Sequence, residues 1–203
     1  MAEVPPGISG NLKHYISGGE EGSQWRGFST KRHYTNAFVV QDNKVASSAY
    51  RPARGPVESN PNSERYNGFG GKVDPGETPL EAAKRELEEE SGIQGPLVHA
   101  GHLLFLTEEV EWAFHIDIYK AESYTGTITE SDEMKPEWFS TTSDTSAELP
   151  MIPFDRMWET DHVWLPLLIS DKPFVGRADF VGEKDQSKPF KWWYGVIEEE
   201  KEL

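Results

Sequence analysis

The stretch "GKVDPGETPLEAAKRELEEESGI", Gly71 to Ile93, packs Glu77, Glu81, Glu86, Glu88, Glu89 and Glu90 into little more than one helix. Thr78 reads as the N-cap, Pro79 suits the first helical position, Glu81 completes a Thr-x-x-Glu capping box, and Gly92 ends the helix. At about 100° per residue, Leu80, Ala83, Leu87 and Ser91 fall on one stripe, the face expected against a core. Glu86, Glu89 and Glu90 stand at i, i+3 and i+4 on an arc beside that stripe, whereas Glu81 and Glu88 lie on the other flank with Lys84. Glu81 also precedes Arg85 by four residues, the favourable order for a helix ion pair. Capping, pairing and solubility account for Glu81 and Glu88. They do not account for the triad, because two carboxylates about 4 Å apart repel by roughly 4 kcal/mol at an effective dielectric near 20. Partial protonation relieves this repulsion, and a divalent cation relieves it further. Magnesium accepts carboxylate oxygens, keeps several waters and shares its remaining positions with phosphates.

The rest of the composition fits that reading. With 203 residues, 36% apolar and 12% aromatic, the chain can bury a core and is expected to form one domain with tails. A net charge of -15 argues against a nucleic-acid polymer as partner, and it disfavours a small anionic ligand unless a cation mediates. No apolar run reaches the length of a membrane span, and the N-terminal residues lack a signal or transit pattern. Cysteine is absent, which excludes disulfides, thiolate catalysis and cysteine-based zinc sites. These features fit an intracellular protein. The expectation is a cytoplasmic monomer, with nucleus and mitochondrion left open. The six histidines are scattered without metal-ligand spacing and read as ordinary surface or satisfied residues.

Residues 1–30, rich in Gly, Pro, Ser and Glu, read as a flexible arm that Trp25 and Phe28 are placed to dock. Residues 31–197 read as the domain and 198–203 as an acidic tail. "YTNAFVVQ" and "KVASSAYR" read as strands joined by a turn at Asp42 and Asn43. "YNGFGGK" is too glycine-rich for a regular element. "LVHAGHLLFLTE", "EWAFHIDIYKAE", "EWFST", "FVGRADFVG" and "PFKWWYGV" read as further strands, and "IPFDRMWETDHVWLPLLIS" holds one or two short helices. Mixed strands around one well-marked helix indicate an α/β (α+β) class.

The stretch from Gly71 to Ile93 resembles the Nudix box, Gly-x5-Glu-x7-Arg-Glu-aliphatic-x-Glu-Glu-x-Gly-aliphatic. It matches at Gly71, Glu77, Arg85, Glu86, Leu87, Glu89, Glu90, Gly92 and Ile93. A motif of this length is highly specific. The resemblance implies an α/β/α sandwich with a mixed β-sheet and magnesium-dependent hydrolysis of a nucleoside diphosphate linked to another group, with manganese as a substitute ion. It implies that Glu86, Glu89 and Glu90 hold metal, that the Gly71 carbonyl reaches it, and that Arg85 pairs with Glu77 to brace loop against helix. A member that binds without cleaving is the alternative.

Outside the box, "YNGFGGKV", "ESDEMKPEWF", "IPFDRMW" and "VWLPLLISDKPFVGRADFVG" resemble the MutT-type branch of the family, hydrolases of oxidised purine nucleoside triphosphates. That likeness implies release of monophosphate and pyrophosphate from 8-oxo-dGTP or 2-hydroxy-dATP, which sanitises the nucleotide pool. Glu133 matches a family glutamate facing the metal site, as extra ligand or water-orienting base, with an exposed loop acid as the alternative. Asn67 and Asp161 match contacts to the purine edge, and Trp158 the aromatic that stacks on it. Phe105 and Phe114 are pocket walls or plain core; Tyr34 and Thr35 lie on the first strand, with Thr35 a polar contact; Lys72 meets a phosphate or solvent. One departure stands out: Thr160 occupies a position where the branch has a second aspartate. It carries a hydroxyl that cannot ionise in the useful range. A narrower or shifted base preference is therefore expected. Another Nudix substrate, such as an alkylated or normal purine triphosphate or a dinucleoside polyphosphate, remains the rival.

Overall fold

The computed structural model describes residues 3–50, 65–131, 134–142, 148–182 and 187–198, with Tyr50 described by its backbone alone. Its strands are β1 (Leu12–Gly19), β2 (Thr30–Gln41), β3 (Lys44–Tyr50), β4 (Tyr66–Asn67), β5 (Ile93–Gln94), β6 (Val98–Leu106), β7 (Trp112–Ala121), β8 (Thr125–Gly126), β9 (Met134–Ser140), β10 (Phe174–Val181) and β11 (Lys188–Ile197). The helices are α1 (Pro79–Ser91) and α2 (Asp161–Ile169). The chain divides into two compact units. Unit 1 comprises Met1–His33, Ala100–Asp117 and Glu159–Leu203, and unit 2 comprises Tyr34–His99 and Ile118–Trp158. β2, β6 and β7 contribute residues to both.

Unit 2 carries the box. Asp42 and Asn43 both have positive φ, 52° and 59°, which is the backbone of a primed two-residue hairpin turn between β2 and β3. Val39 thereby pairs with Ala46, and Gln41 with Lys44. β9 runs antiparallel along the whole of β3, from Lys44↔Ser140 to Tyr50↔Met134, and is longer than the expected "EWFST". The glycine-rich "YNGFGGK" is more regular than expected. It forms β4 and continues as bridges Ala37↔Phe69 and Tyr34↔Lys72. Side chains are excluded there because a Cβ on Gly70 would fall 2.0 Å from the Thr35 carbonyl oxygen.

Helix α1 has both halves of its capping box, and Gly92 closes it in the left-handed region at φ 73°, donating to the Glu88 carbonyl. Ala82, Ala83, Leu87 and Ser91 are its buried residues. Ala82 widens the stripe read from the sequence, because a methyl group fits beside the 100° face without needing to lie on it. The core beneath comprises Ala37, Val39, Ala46, Phe69, Ala83, Leu87, Ile93, Leu97, Tyr119 and Ala121, with Leu80 and Trp138 packed at its edge.

Unit 1 has the strand order β1-β11-β10-β6-β7. β10 runs parallel to β6, with Phe174 opposite Gly101 and Asp179 opposite Leu106, and antiparallel to β11, so the sheet is mixed. The N-terminal stretch read as a flexible arm instead carries β1, which pairs with β11 from Leu12↔Ile197 to Gly19↔Lys191. Its side chains are mostly exposed, so backbone hydrogen bonds order the strand, and no apolar alternation marks it. Trp25 and Phe28 pack on a cluster of Ile8, Leu104, Leu106, Ala113, Val175 and Trp193. The expected helical stretch resolves into a 3-10 turn, Phe154–Arg156, in unit 2 and helix α2 in unit 1. No helix among the described residues is long and apolar enough to cross a membrane.

Candidate active site

The box residues converge on Arg85. Its Nε donates to Glu77 Oε1 at 2.8 Å and its Nη2 to Glu77 Oε2 at 3.0 Å, a two-pronged grip. Nη2 also reaches the Lys72 carbonyl at 3.3 Å, so the loop before the helix is tied to the helix. The guanidinium holds the Glu77 carboxyl below the usual carboxylate range, helped by the Asp74 N–H. Glu77, and next Glu86, in turn hold Arg85 still higher than its ordinary value. Nη1 is shared between Glu86 Oε1 at 2.8 Å and Glu89 Oε2 at 3.2 Å. Glu81, by contrast, accepts from both the backbone N–H and the hydroxyl of Thr78. The expected Glu81–Arg85 pair is replaced because capping occupies one partner and Glu77 the other.

Glu90 is fixed separately, with Oε2 accepting the Gly70 N–H at 2.8 Å. Gly71 lies against Glu86, and a Cβ there would fall 2.5 Å from Glu86 Oε1. The Gly71 carbonyl accepts the Thr35 N–H at 2.8 Å, and its second lone pair is not used by that bond. Glu88 is exposed. Glu88, Glu89 and Glu90 occupy the last helical turn, which holds no basic residue. The negative end of the helix dipole disfavours anions there by about 0.3–1 kcal/mol each. The helix dipole therefore gives no reason for these carboxylates. An all-oxygen donor set, with a guanidinium nitrogen already between two of its members, has the chemistry that suits a hard divalent cation.

The remaining expected site residues lie in one unit or the other. In unit 2, Asn67 Oδ1 accepts from Asn36 Nδ2 at 2.6 Å and from the Gly68 N–H at 3.0 Å, which makes the amide nitrogen the end that can donate. Thr35 is buried, and its hydroxyl has no hydrogen-bond partner among the described residues. Lys72 is exposed. Trp158 carries the Arg65 guanidinium 4.5 Å above its ring, and Arg65 is anchored on the Met157 carbonyl at 2.9 Å. In unit 1, Phe105 meets Phe180 edge-on at 5.3 Å, and Phe114 lies 6.4 Å from Trp112. Asp161, 2% exposed, accepts the Trp164 indole N–H at 3.0 Å. Thr160 is buried beside it, and the Thr160 and Tyr194 hydroxyls both lack a well-formed hydrogen bond among the described residues. Burial holds the Tyr194 phenol above its ordinary range; the nearby Thr160 hydroxyl opposes that rise, and the Asp161 charge adds to it. Glu133 lies outside the described residues.

Sequence reading missed Asn36, Arg65 and Tyr194. Asn36 and Arg65 flank or face the "YNGFGG" stretch, which was the available signal; Tyr194 sits on a distant strand and left none.

Comparison with known proteins identifies the family. The NUDIX domain family matches residues 37–165. The oxidized purine nucleoside triphosphate hydrolase of Mus musculus is 39% identical over 75% of this chain and 88% of its own length. That of Danio rerio is 36% identical over 75% of this chain and 89% of its own length. The crystal structure of the MutT protein from Bacillus halodurans superposes with a TM-score of 0.54 at 26% identity, covering 77% of this chain and 96% of that one. Members of this family act on small nucleotide substrates with the help of a divalent metal. The chain belongs to the Nudix family, as a pyrophosphohydrolase homologous to the oxidised purine nucleoside triphosphate hydrolases.

Proposed function

We propose that this protein hydrolyses oxidised purine nucleoside triphosphates, such as 8-oxo-dGTP or 2-hydroxy-dATP, to the monophosphate and pyrophosphate in a magnesium-dependent reaction. Such an activity clears damaged precursors from the nucleotide pool of the cytoplasm, and a monomer suffices for it. The observation that carries the reading is the sharing of Arg85 Nη1 by Glu86 and Glu89 beside the Gly70–Gly71 backbone that fixes Glu90. Glu86, Glu89 and Glu90 are the residues that would hold magnesium, or manganese in its place, with the Gly71 carbonyl and Glu133 as further donors. Bound there, the ion supplies phosphate charge neutralisation and activation of water. Arg85 and Glu77 keep the glutamates aimed, and Lys72 offers a positive charge to the phosphates. In unit 2, Asn67 presents its amide donors to the purine edge, Trp158 supplies apolar surface for the base and Thr35 a hydroxyl; the roles of Asp161 and Phe105 rest on the sequence resemblance alone.

Thr160 favours a base preference shifted from that of relatives with two adjacent aspartates, since its hydroxyl can donate or accept but not ionise. A panel of oxidised, alkylated and normal purine triphosphates, scored for pyrophosphate with magnesium present, tests the whole reading. An oxidised purine should be preferred, and Thr160→Asp should change the ratio of 8-oxo-dGTP to 2-hydroxy-dATP cleavage. Glu89→Gln should lower kcat about 100-fold or more, while Glu88→Gln leaves it nearly unchanged. Equal behaviour of these two variants would remove the helix carboxylates from the reaction.

A further inference from the structure

Unit 1 contains a second group of ligand-type side chains that the nucleotide reading does not use. His33 on β2 and His115 and Asp117 on β7 each offer a ligand atom, and these atoms all lie within 4.8 Å of one another. No other group of three His, Cys, Asp or Glu among the described residues meets that condition, including the glutamates of α1. His115 and Asp117 are two apart on one strand and so face the same way. His115 Nδ1 stands 3.5 Å from Asp117 Oδ2. Two ligands bound tetrahedrally at about 2.0–2.1 Å from zinc are separated by about 3.3–3.4 Å, so this pair is already spaced for one ion. His115 Nδ1 is buried and has no hydrogen-bond partner among the described residues. The His33 ring lies 4.9 Å from that of His115, and the His102 ring stacks on its other side at 5.1 Å and 16°. His33 is exposed, which leaves an entry path from solvent.

We propose that His33, His115 and Asp117 form a binding site for a borderline first-row transition metal, with zinc as the best fit. Two imidazoles and one carboxylate are a donor set for zinc, cobalt or nickel rather than magnesium, which takes oxygens. The two candidate metal sites of this protein therefore differ in chemistry, and loading one need not load the other. Three protein ligands leave a fourth position for water or an added ligand. An ion held by both β2 and β7 also favours the folded chain, because the unfolded chain does not present this geometry. His102 backs the His115 ring and acts as a positioning residue. The proposal does not depend on the nucleotide assignment.

The test uses the full chain in excess magnesium, titrated with zinc against a chromophoric chelator and with cobalt by visible absorption. One zinc per chain should bind, cobalt should give the intense band of a low-coordinate site with imidazole ligands, and zinc should raise the melting temperature. His33→Gln and His115→Gln should each weaken zinc at least about 100-fold and abolish the thermal shift, whereas Glu89→Gln should retain both. His33 is exposed, so its variant separates ligand loss from misfolding. Zinc affinity unchanged in both histidine variants, or lost in Glu89→Gln, would overturn the proposal, as would a failure of the wild-type chain to bind zinc under these conditions.

Discussion

Replacement of Asp179 by Asn tests how the N-terminal stretch is held. Arg177 and Asp179, both on β10, are fully buried. The Asp179 carboxylate accepts Arg177 Nε at 2.8 Å, Arg177 Nη2 at 2.9 Å and the Arg26 backbone N–H at 2.7 Å. The guanidinium also donates to the carbonyls of Pro6 and Arg26, each at 2.6 Å, and lies 4.8 Å from the centre of the Trp25 ring. Asn in place of Asp leaves a buried cation without its counter-charge. It also turns an amide N–H toward at least one of three donors that an acid satisfied. Loss of one partner of such a pair costs about 3–5 kcal/mol. At about 2–4 °C per kcal/mol for a chain of this size, the melting temperature should fall by about 6–20 °C. Urea unfolding followed by tryptophan fluorescence reads the change directly, since Trp25 and Trp193 belong to the adjoining cluster. Glu88→Gln is the control: Glu88 is exposed on α1, so its loss should change stability by no more than about 0.5 kcal/mol. If Asp179→Asn were no more damaging than Glu88→Gln, the claim that this buried pair anchors residues 3–28 would be wrong.

Gly71→Ala should leave the chain folded yet reduce turnover about 10–100-fold, because the atoms nearest the new Cβ belong to the movable carboxylate of Glu86, whereas Gly70→Ala meets the Thr35 backbone and should destabilise the fold itself; circular dichroism and pyrophosphate release separate the two. The hydrogen bond from Arg85 lowers the Glu77 pKa in the folded chain, so its stabilisation is complete above the unfolded value of about 4.3 and is lost as pH falls through the lower folded value. Glu77→Gln should accordingly flatten the acid side of a melting-temperature profile between about pH 5 and pH 3, and an unchanged profile would remove the Arg85 pair from acid stability. Arg85→Lys keeps the charge but loses the two-pronged grip, so kcat should fall about 10–100-fold, and adding Glu77→Gln to it should cost little more.

Legibility in the sequence followed how local the physics was. The α1 caps were readable because Thr78, Glu81 and Gly92 act on neighbours within four residues. The β2–β3 hairpin was readable because Asp42 and Asn43 tolerate the left-handed backbone its turn requires. β1 was not, since its order comes from β11, some 180 residues away, and its exposed side chains write no pattern. The same reasoning explains the site. The acidic arc of α1 follows from a fixed helical repeat, but the sharing of Arg85 Nη1 between Glu86 and Glu89 and the seating of Glu90 on the Gly70 N–H depend on rotamers and a loop path. His33 and His115 are 82 positions apart in the chain. Spacing rules for metal ligands therefore passed over them.

The arrangement around Arg85 also shows why a chain of net charge -15 can fold around a carboxylate cluster before any ion arrives. Three nitrogens of one guanidinium serve two purposes: Nε and Nη2 are committed to Glu77, and Nη1 is lent to Glu86 and Glu89. Glu86, at 15% side-chain exposure, needs such a partner more than Glu89, at 60%, because desolvated charge is costlier to leave bare. On the proposed function, a divalent ion would compete with one guanidinium nitrogen for two carboxylates, and Arg85 would yield them without loosening Glu77. Glu77 is thus the fixed point of the device. Its loss should shift the metal dependence of turnover as well as its rate, since Arg85 would then be free to follow Glu86 and Glu89 and compete with the ion for them.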